Sequence, residues 1–370
     1  MPEQFEQINP EINGVDLGKI NPGDVEVPKP AELTTEEDKG LLDVLQRAKE
    51  AEKADDYQTA TVLYEQYQAE YKRIKQEKLG GELGEKFALD EQYKAQIKIL
   101  ETAGILQEFS DGIKGIIGID GKEYPVPSLE KILSAIIPEK AELLAKKKEQ
   151  GFTKLLITPF AMPLSELKER YKVLLLKKDS EGTLLATDGS KLALDRNEPV
   201  WAWDGYEQAD INGNLVYEPK KFDNDHEGKT KQEIINQSNP WKIKLIEDMP
   251  DLPAFGDGKM IGGRSQHEAN FTPNHYLNTP NMNTVYEGEK GFDPETWLTY
   301  AITNLEEKNQ QIDDWQGQGK SCFLVGAYFP GSDVVPLARW YRGDRQAYLG
   351  GRVPSYSSSD VGCRSSVEIQ

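Results

Sequence analysis

The sequence predicts an α+β fold in at least two structural units: a mainly helical N-terminal region, then a region of mixed short strands and helices. Two observations carry this. All six tryptophans lie beyond residue 200, whereas the first half is rich in Glu, Lys, Leu and Ala, too large a shift for one uniform unit. From about residue 151, short β-type runs alternate with Gly, Pro and Asn turns and only a few helical patterns, unlike the regular alternation of a doubly wound sheet. The expected organisation is an extended or disordered arm over 1–32, a mainly helical region over 33–150 and an α+β domain over 151–370.

The arm carries prolines at 2, 10, 22, 28 and 30 and few large apolar residues, too few to offset the entropy of ordering it. Thr34 and Glu37 then form a capping box ahead of LLDVLQRAKEAEKA, with Leu41, Leu42, Val44 and Leu45 as its apolar face. After Asp55–Asp56 a second helix follows, with Tyr57, Ala60, Val62, Leu63, Tyr67 and Tyr71 at helical spacing. The pair resembles one tetratricopeptide unit, but a solenoid needs about three, so a lone helical hairpin is the plainer reading. Gly80–Gly81 is expected to end the helix, and Asp90 to cap the next one over 90–104. IKGIIGIDGKEYPVPS reads as a hairpin turning at Asp120–Gly121. Ser128 caps the following helix, which Pro138 kinks or splits.

Beyond residue 151, KLLITPF is a buried strand and SELKERYKVLLLKK a helix, and TLLATDGSKLAL is a strand–turn–strand pattern. WAWDGY opens an aromatic, loop-rich stretch. The late helix is fully specified: Asp293 at the N-cap, Pro294 at N1, Glu295 in the first turn, and Trp297, Tyr300, Ala301 and Leu305 as the buried stripe.

Net charge is −19, which argues against wrapping duplex nucleic acid or docking on anionic lipid, since both need a basic surface. No apolar run of about eighteen residues is present, and the first twenty residues lack a basic stretch followed by an apolar one. No membrane insertion and no secretory signal are therefore expected, which leaves a cytoplasmic location by default. The last fifty residues differ from the rest: five arginines, no lysine and four acids make them nearly neutral.

Most motifs that would carry chemistry fail on spacing. GKT at 228–230 lacks the glycine five positions earlier, where Asp223 stands, so it is no phosphate loop. Asp223, Asp225 and Glu227 imitate the start of a calcium loop, but position twelve is Ile234, so a solvated acidic loop is the better expectation. His226, His267 and His275 form no zinc-helix pattern. Cys322 and Cys363 form no CxxC motif and read as small packing residues. Trp201, Trp203 and Tyr206 read as core in preference to a sugar-stacking platform. Asp313–Asp314–Trp315 reads as an acidic turn with a buried Trp in preference to a ligand ledge. No metal or cofactor is expected.

The C-terminus is more specific. Residues 347–365 contain no Lys, Glu, Gln, Met or Trp. Every type present can be encoded by a codon ending in a pyrimidine, the repertoire reached when the adenines of asparagine codons are randomised. Tyr, Ser, Gly and Asp dominate, as in antibody paratopes. ARW precedes this segment and VGCRSSVEI follows it, alternating like a closing strand, which a flexible tail would not do.

FLVGAYFPGSDVVPLARWYRGDRQAYL…VGCRSSVEI, with TKLLITPFAMPLSELKERYK, NEPVWAWDGY and DPETWLTYAITNLEEKNQQIDDWQGQG upstream, resembles the variable proteins of diversity-generating retroelements, in particular those of candidate-phyla bacteria. The resemblance covers roughly 150–370. It implies a C-type-lectin-like fold and a variable region at about 339–365, rewritten by reverse transcription with adenine-directed errors. It further implies a display protein without enzymatic activity, binding varied ligands, usually proteins. By the family's pattern, Trp340, Arg342, Gln346, Ala347, Gly362 and Arg364 are framework. Tyr341, Gly343, Asp344, Tyr348, Gly350, Gly351, Val353, Ser355, Tyr356, Ser357, Ser358, Ser359 and Asp360 are varied. No EPN or QPD tripeptide supports calcium-dependent sugar binding. The closely spaced cysteine pair of formylglycine-generating enzymes is also missing. An enzyme of that kind or a hydrolase on the same fold, and a scaffold acting through its N-terminal helices, remain the alternatives.

Overall fold

The computed structural model describes residues 36–54, 56–237 and 239–369. The expected arm over 1–32 and the Thr34 cap lie outside these residues. The chain divides into two compact units at Lys78–Leu79. In the first, helix Glu36–Lys53 and the start of helix Tyr57–Lys86 share a core of Leu41, Leu45, Ala48, Ala60, Leu63, Tyr64 and Tyr67. The apolar stripe follows the spacing of four and three residues that one helical face requires. Leu42, Tyr57 and Val62 fall off it and are exposed. Asp56 accepts from the Thr59 backbone N–H at 3.2 Å, serving as the cap of the second helix.

Gly80 and Gly81 do not end that helix, which runs on to Lys86. Gly80 is there for closeness: a Cβ at this position would stand 2.5 Å from the Leu133 carbonyl oxygen. Nor does Asp90 cap the next helix. That helix begins at Leu89 behind Ala88, whose φ of 51° is left-handed, and Asp90 sits in its first turn, where a carboxylate meets the positive end of the helix dipole.

The second unit is mixed α+β. Its first sheet is antiparallel, with strands in the order Glu289–Gly291, Ser365–Glu368, Lys242–Glu247 and Phe152–Thr158. The strands that open and close the region at 152 and 365 thus flank one central strand. Leu155, Leu156 and Ile157 of KLLITPF are fully buried. Helices Leu89–Thr102 and Pro294–Lys308 pack on this strand, and helix Leu164–Ser180 packs on the latter. Every residue from Pro294 to Leu305 is buried, so the expected stripe is in fact a helix enclosed on all sides, capped by Asp293 at 2.7 Å from the Thr296 N–H. The Lys114–Ile117 and Glu123–Pro125 hairpin forms as the sequence predicts, joined by Gln107–Glu108, and Pro138 splits Leu129–Ser134 from Pro138–Glu149. TLLATDGSKLAL makes only a single bridge, Leu185 to Lys191, and Leu185 also bridges Gln310 on its other side.

The second sheet is mixed: Val361–Cys363, Ser321–Phe323, Val335–Tyr341, Gln346–Arg352 and Val200–Ala202, with Asp314–Trp315 pairing alongside Val335–Tyr341. Buried charges are paired, as burial demands. Lys231 meets Asp210 and Glu295, Lys242 and Lys244 meet Asp293, and Lys147 and Arg264 meet Glu289. Among the described residues no helix is long and apolar enough to cross a membrane.

Candidate functional site

The C-terminal segment threads the second sheet. Strands Val335–Tyr341 and Gln346–Arg352 pair antiparallel, with Tyr341 opposite Gln346, Arg339 opposite Tyr348 and Leu337 opposite Gly350. Side chains alternate across a strand, so Trp340 and Arg339 point to opposite faces. Trp340 and Ala347 are fully buried, while Arg339, Tyr341 and Tyr348 are half-buried on the other face.

Two neighbouring aspartates hold Arg342 and Arg364, the two arginines expected to be framework. Asp313, fully buried with a left-handed φ of 51°, accepts from Arg364 Nη2 at 2.6 Å, from Arg364 Nε at 3.1 Å and from Trp297 Nε1 at 2.8 Å. Arg364 also donates from Nη2 to the Pro250 carbonyl at 2.7 Å. Asp314, equally buried, accepts from Arg342 Nε at 2.8 Å and Nη2 at 2.5 Å. The Asp314 pairing raises the Arg342 pKa against the opposing effect of burial. The dipeptide therefore clamps the chain before and after residues 343–363, which explains an acidic pair that the sequence leaves as a turn. Its neighbour Trp315 is not buried but half-exposed.

Between the clamps the residues differ in kind. Gly343, Asp344, Val353, Ser355, Tyr356, Ser357, Ser359 and Asp360 are exposed; Tyr341, Tyr348, Gly351 and Ser358 are intermediate. Gly350 alone among the positions expected to vary is buried. A Cβ there would lie 2.3 Å from Tyr348 Cε1, so the tyrosine ring covers it. Trp340, Gln346, Ala347, Gly362 and Arg364 are all buried, and Arg342 is fixed by Asp314.

The exposed face also gathers residues the sequence left elsewhere. Trp201, expected in the core, is half-exposed and stacks on Tyr348 with centroids 4.4 Å apart and planes 15° from parallel. Strand Val200–Ala202 pairs with Gln346–Arg352 and sets Trp201 beside Tyr348. Trp203 and Tyr206 instead meet Phe329 edge-on, and Tyr206 is buried. Trp315 and Tyr341 lie 4.8 Å apart. Between these two pairs sits Arg339, its guanidinium carbon 3.9 Å from the Trp315 ring, 4.9 Å from Tyr341 and 4.6 Å from Tyr348. Trp315, Tyr341, Arg339, Tyr348 and Trp201 thus form one ledge across four strands. An open depression of ≈ 570 Å³ adjoins it, lined by Asp195, Glu198, Trp201, Gly343, Asp344, Arg345, Gln346 and Tyr348. The alternation in ARWY was the available sign that Arg339 and Tyr341 share a face opposite Trp340. The parallel strand bringing in Trp201 has no local sequence sign.

Other candidates resolve into structure. Cys322 and Cys363 are buried free thiols on adjacent strands, with Cys322 opposite Gly362. Burial pushes both thiols up, so neither supplies a ready thiolate. Thr230 of the GKT triplet caps the six-residue helix Lys231–Asn236 in a capping box with Glu233. Asp225 is exposed and paired with Lys221 at 2.6 Å, and among the described residues no cluster of three or more His, Cys, Asp or Glu is placed to hold a metal ion. No family model, no curated protein and no solved structure matches the chain.

Proposed function

We propose that this chain is a ligand-binding display protein: residues 151–370 form a C-type-lectin-like domain, and a retroelement diversifies positions within 341–360 so that the exposed face binds varied, mainly protein, ligands. The activity is binding alone, with no catalytic residue, metal or cofactor and no nucleic-acid partner. One observation carries the reading. Positions that the family pattern marks as framework are buried or clamped by Asp313 and Asp314, whereas the varied positions, Gly350 excepted, retain solvent exposure. A face that must tolerate random substitution cannot also be core, because core positions lose several kcal/mol on truncation. The composition of the face agrees: Tyr gives rigid amphipathic contact area, and Ser and Gly adaptable hydrogen bonding. The C-type-lectin-like reading draws support from first and last strands that flank one central strand, with a second mixed sheet carried between them.

The test is comparison of isolates from one lineage. Substitutions confined almost entirely to about 341–361, with a nearby template repeat bearing asparagine codons at those positions, are expected. Substitutions spread evenly over 151–370 would sink the proposal.

A further inference from the structure

Arg339 lies outside both the varied and the framework sets, yet it stands at the centre of the aromatic ledge. Among the described residues no carboxylate pairs with it, whereas Arg170, Arg264, Arg342 and Arg364 each hold one. Its Nε has no hydrogen-bond acceptor, and its Nη1 reaches only Ser321 Oγ at 3.4 Å. Three rings cover the guanidinium, and burial is the main influence lowering its pKa. Stacking satisfies the faces of a guanidinium but leaves its N–H edge wanting an acceptor, ideally a carboxylate in the plane. Arg352, whose guanidinium lies 5.6 Å from the Tyr356 ring, is a second cation on the same segment without a carboxylate.

We propose that Arg339 is a fixed anchor for a carboxylate on an acidic segment of the partner protein, with the varied tyrosines around it setting which acidic segment is accepted. This rests on the reading of 341–360 as a ligand-binding face. A stacked arginine ringed by Tyr and Trp has the make-up of an interface hot spot. The adjoining depression carries Asp195, Glu198 and Asp344 beside Arg345, so a carboxylate ligand is drawn to the ledge side, where Arg339 stands, in preference to this acid-rich lining. With a net charge of −19 the chain as a whole repels polyanions, so any acidic peptide that binds does so through a local site.

The experiment is calorimetric titration of the full chain at low ionic strength with three probes: octa-glutamate, octa-glutamine and an oligothymidylate. Octa-glutamate is expected to bind at least tenfold more tightly than octa-glutamine, weakening as salt is added. Arg339→Gln is expected to lose about tenfold, the scale of one charge-assisted hydrogen bond. Arg339→Lys, which keeps charge without the planar fork, should lose less. Should Arg339→Gln fail to fold, Arg352→Gln, at a more open position, is expected to lose about threefold. Equal affinity for octa-glutamine, no octa-glutamate binding, or tighter oligothymidylate binding overturns the proposal. Isolates varying only over 341–360 without acidic-peptide binding would leave the display reading standing while this inference fell.

Discussion

Replacing Asp313 with Asn tests the clamp that holds residues 343–363 at their far end. The two side chains are nearly isosteric, and Asn tolerates the left-handed backbone found there, φ 51°, so the main chain need not move. The amide oxygen can still accept from Trp297 Nε1. What changes is the face toward Arg364, where an amide donor replaces an oxygen that accepted at 2.6 Å and leaves a buried guanidinium without its counter-charge. Removing one member of a buried pair costs about 3–5 kcal/mol. Against a denaturant slope of about 3 kcal/mol/M in urea, the midpoint should fall by roughly 1–1.7 M. Urea unfolding followed by tryptophan fluorescence reads this directly, since Trp297 and Trp340 are fully buried. Asp314→Asn should cost less, because Arg342 is part-exposed and can rehydrate. A loss below about 1 kcal/mol for Asp313→Asn, or the reverse order of the two variants, refutes the clamp.

Three further outcomes are expected. Tyr348→Ser, a change within the diversified repertoire, should shift stability by less than about 1 kcal/mol, whereas Trp340→Ala beside it should cost about 3–5 kcal/mol in the same urea assay. Gly80→Ala should destabilise by about 1–3 kcal/mol, since the new methyl meets the Leu133 carbonyl at 2.5 Å; Gly81→Ala, with nothing within 4 Å, should be neutral or gain about 0.5–1 kcal/mol of helix propensity. Burial pushes the Glu289 carboxyl up, but His267, 3.6 Å away, and the hydrogen bonds from Arg264 outweigh this and hold it well below the usual carboxylate range. A depressed carboxylate contributes stability that is complete above its unfolded pKa, about 4.3, and is lost as pH falls below that toward the folded value. Acid titration of stability should therefore fall more steeply below that point in the parent than in Glu289→Gln.

Much of the second unit was legible because its signals are local. Asp293–Pro294–Glu295 names a helix start unaided, Pro138 splits its helix, and Asp120–Gly121 turns its hairpin. Gly80–Gly81 misled because glycine costs a helix only about 1 kcal/mol each, and Gly80 is needed where the helix passes the Leu133 carbonyl, 2.5 Å from where a Cβ would stand. The expected varied and framework positions came from the family resemblance alone; strand alternation accounts only for Arg339 and Tyr341 lying on the face opposite Trp340. Trp201, Arg339 and Asp313–Asp314 were not legible as a set, since they meet through strand pairings and ion pairs that join residues far apart in the chain. Their individual neighbours in sequence say nothing of this. The same holds for Glu289, whose cationic partners Lys147 and Arg264 lie 142 and 25 residues away.

Asp313 and Asp314 both precede the segment they hold, so under the proposed diversification no change within residues 343–363 alters its own anchors. The loop between the strands ending at Arg352 and beginning at Val361 is then a tether with both ends nailed down. Closing such a tether costs chain entropy that grows only with the logarithm of its length, and doubling the loop adds about 0.6 kcal/mol. The fold is therefore open to change in the length of this loop as well as in its lettering, at an entropic cost smaller than that of many single substitutions in the core.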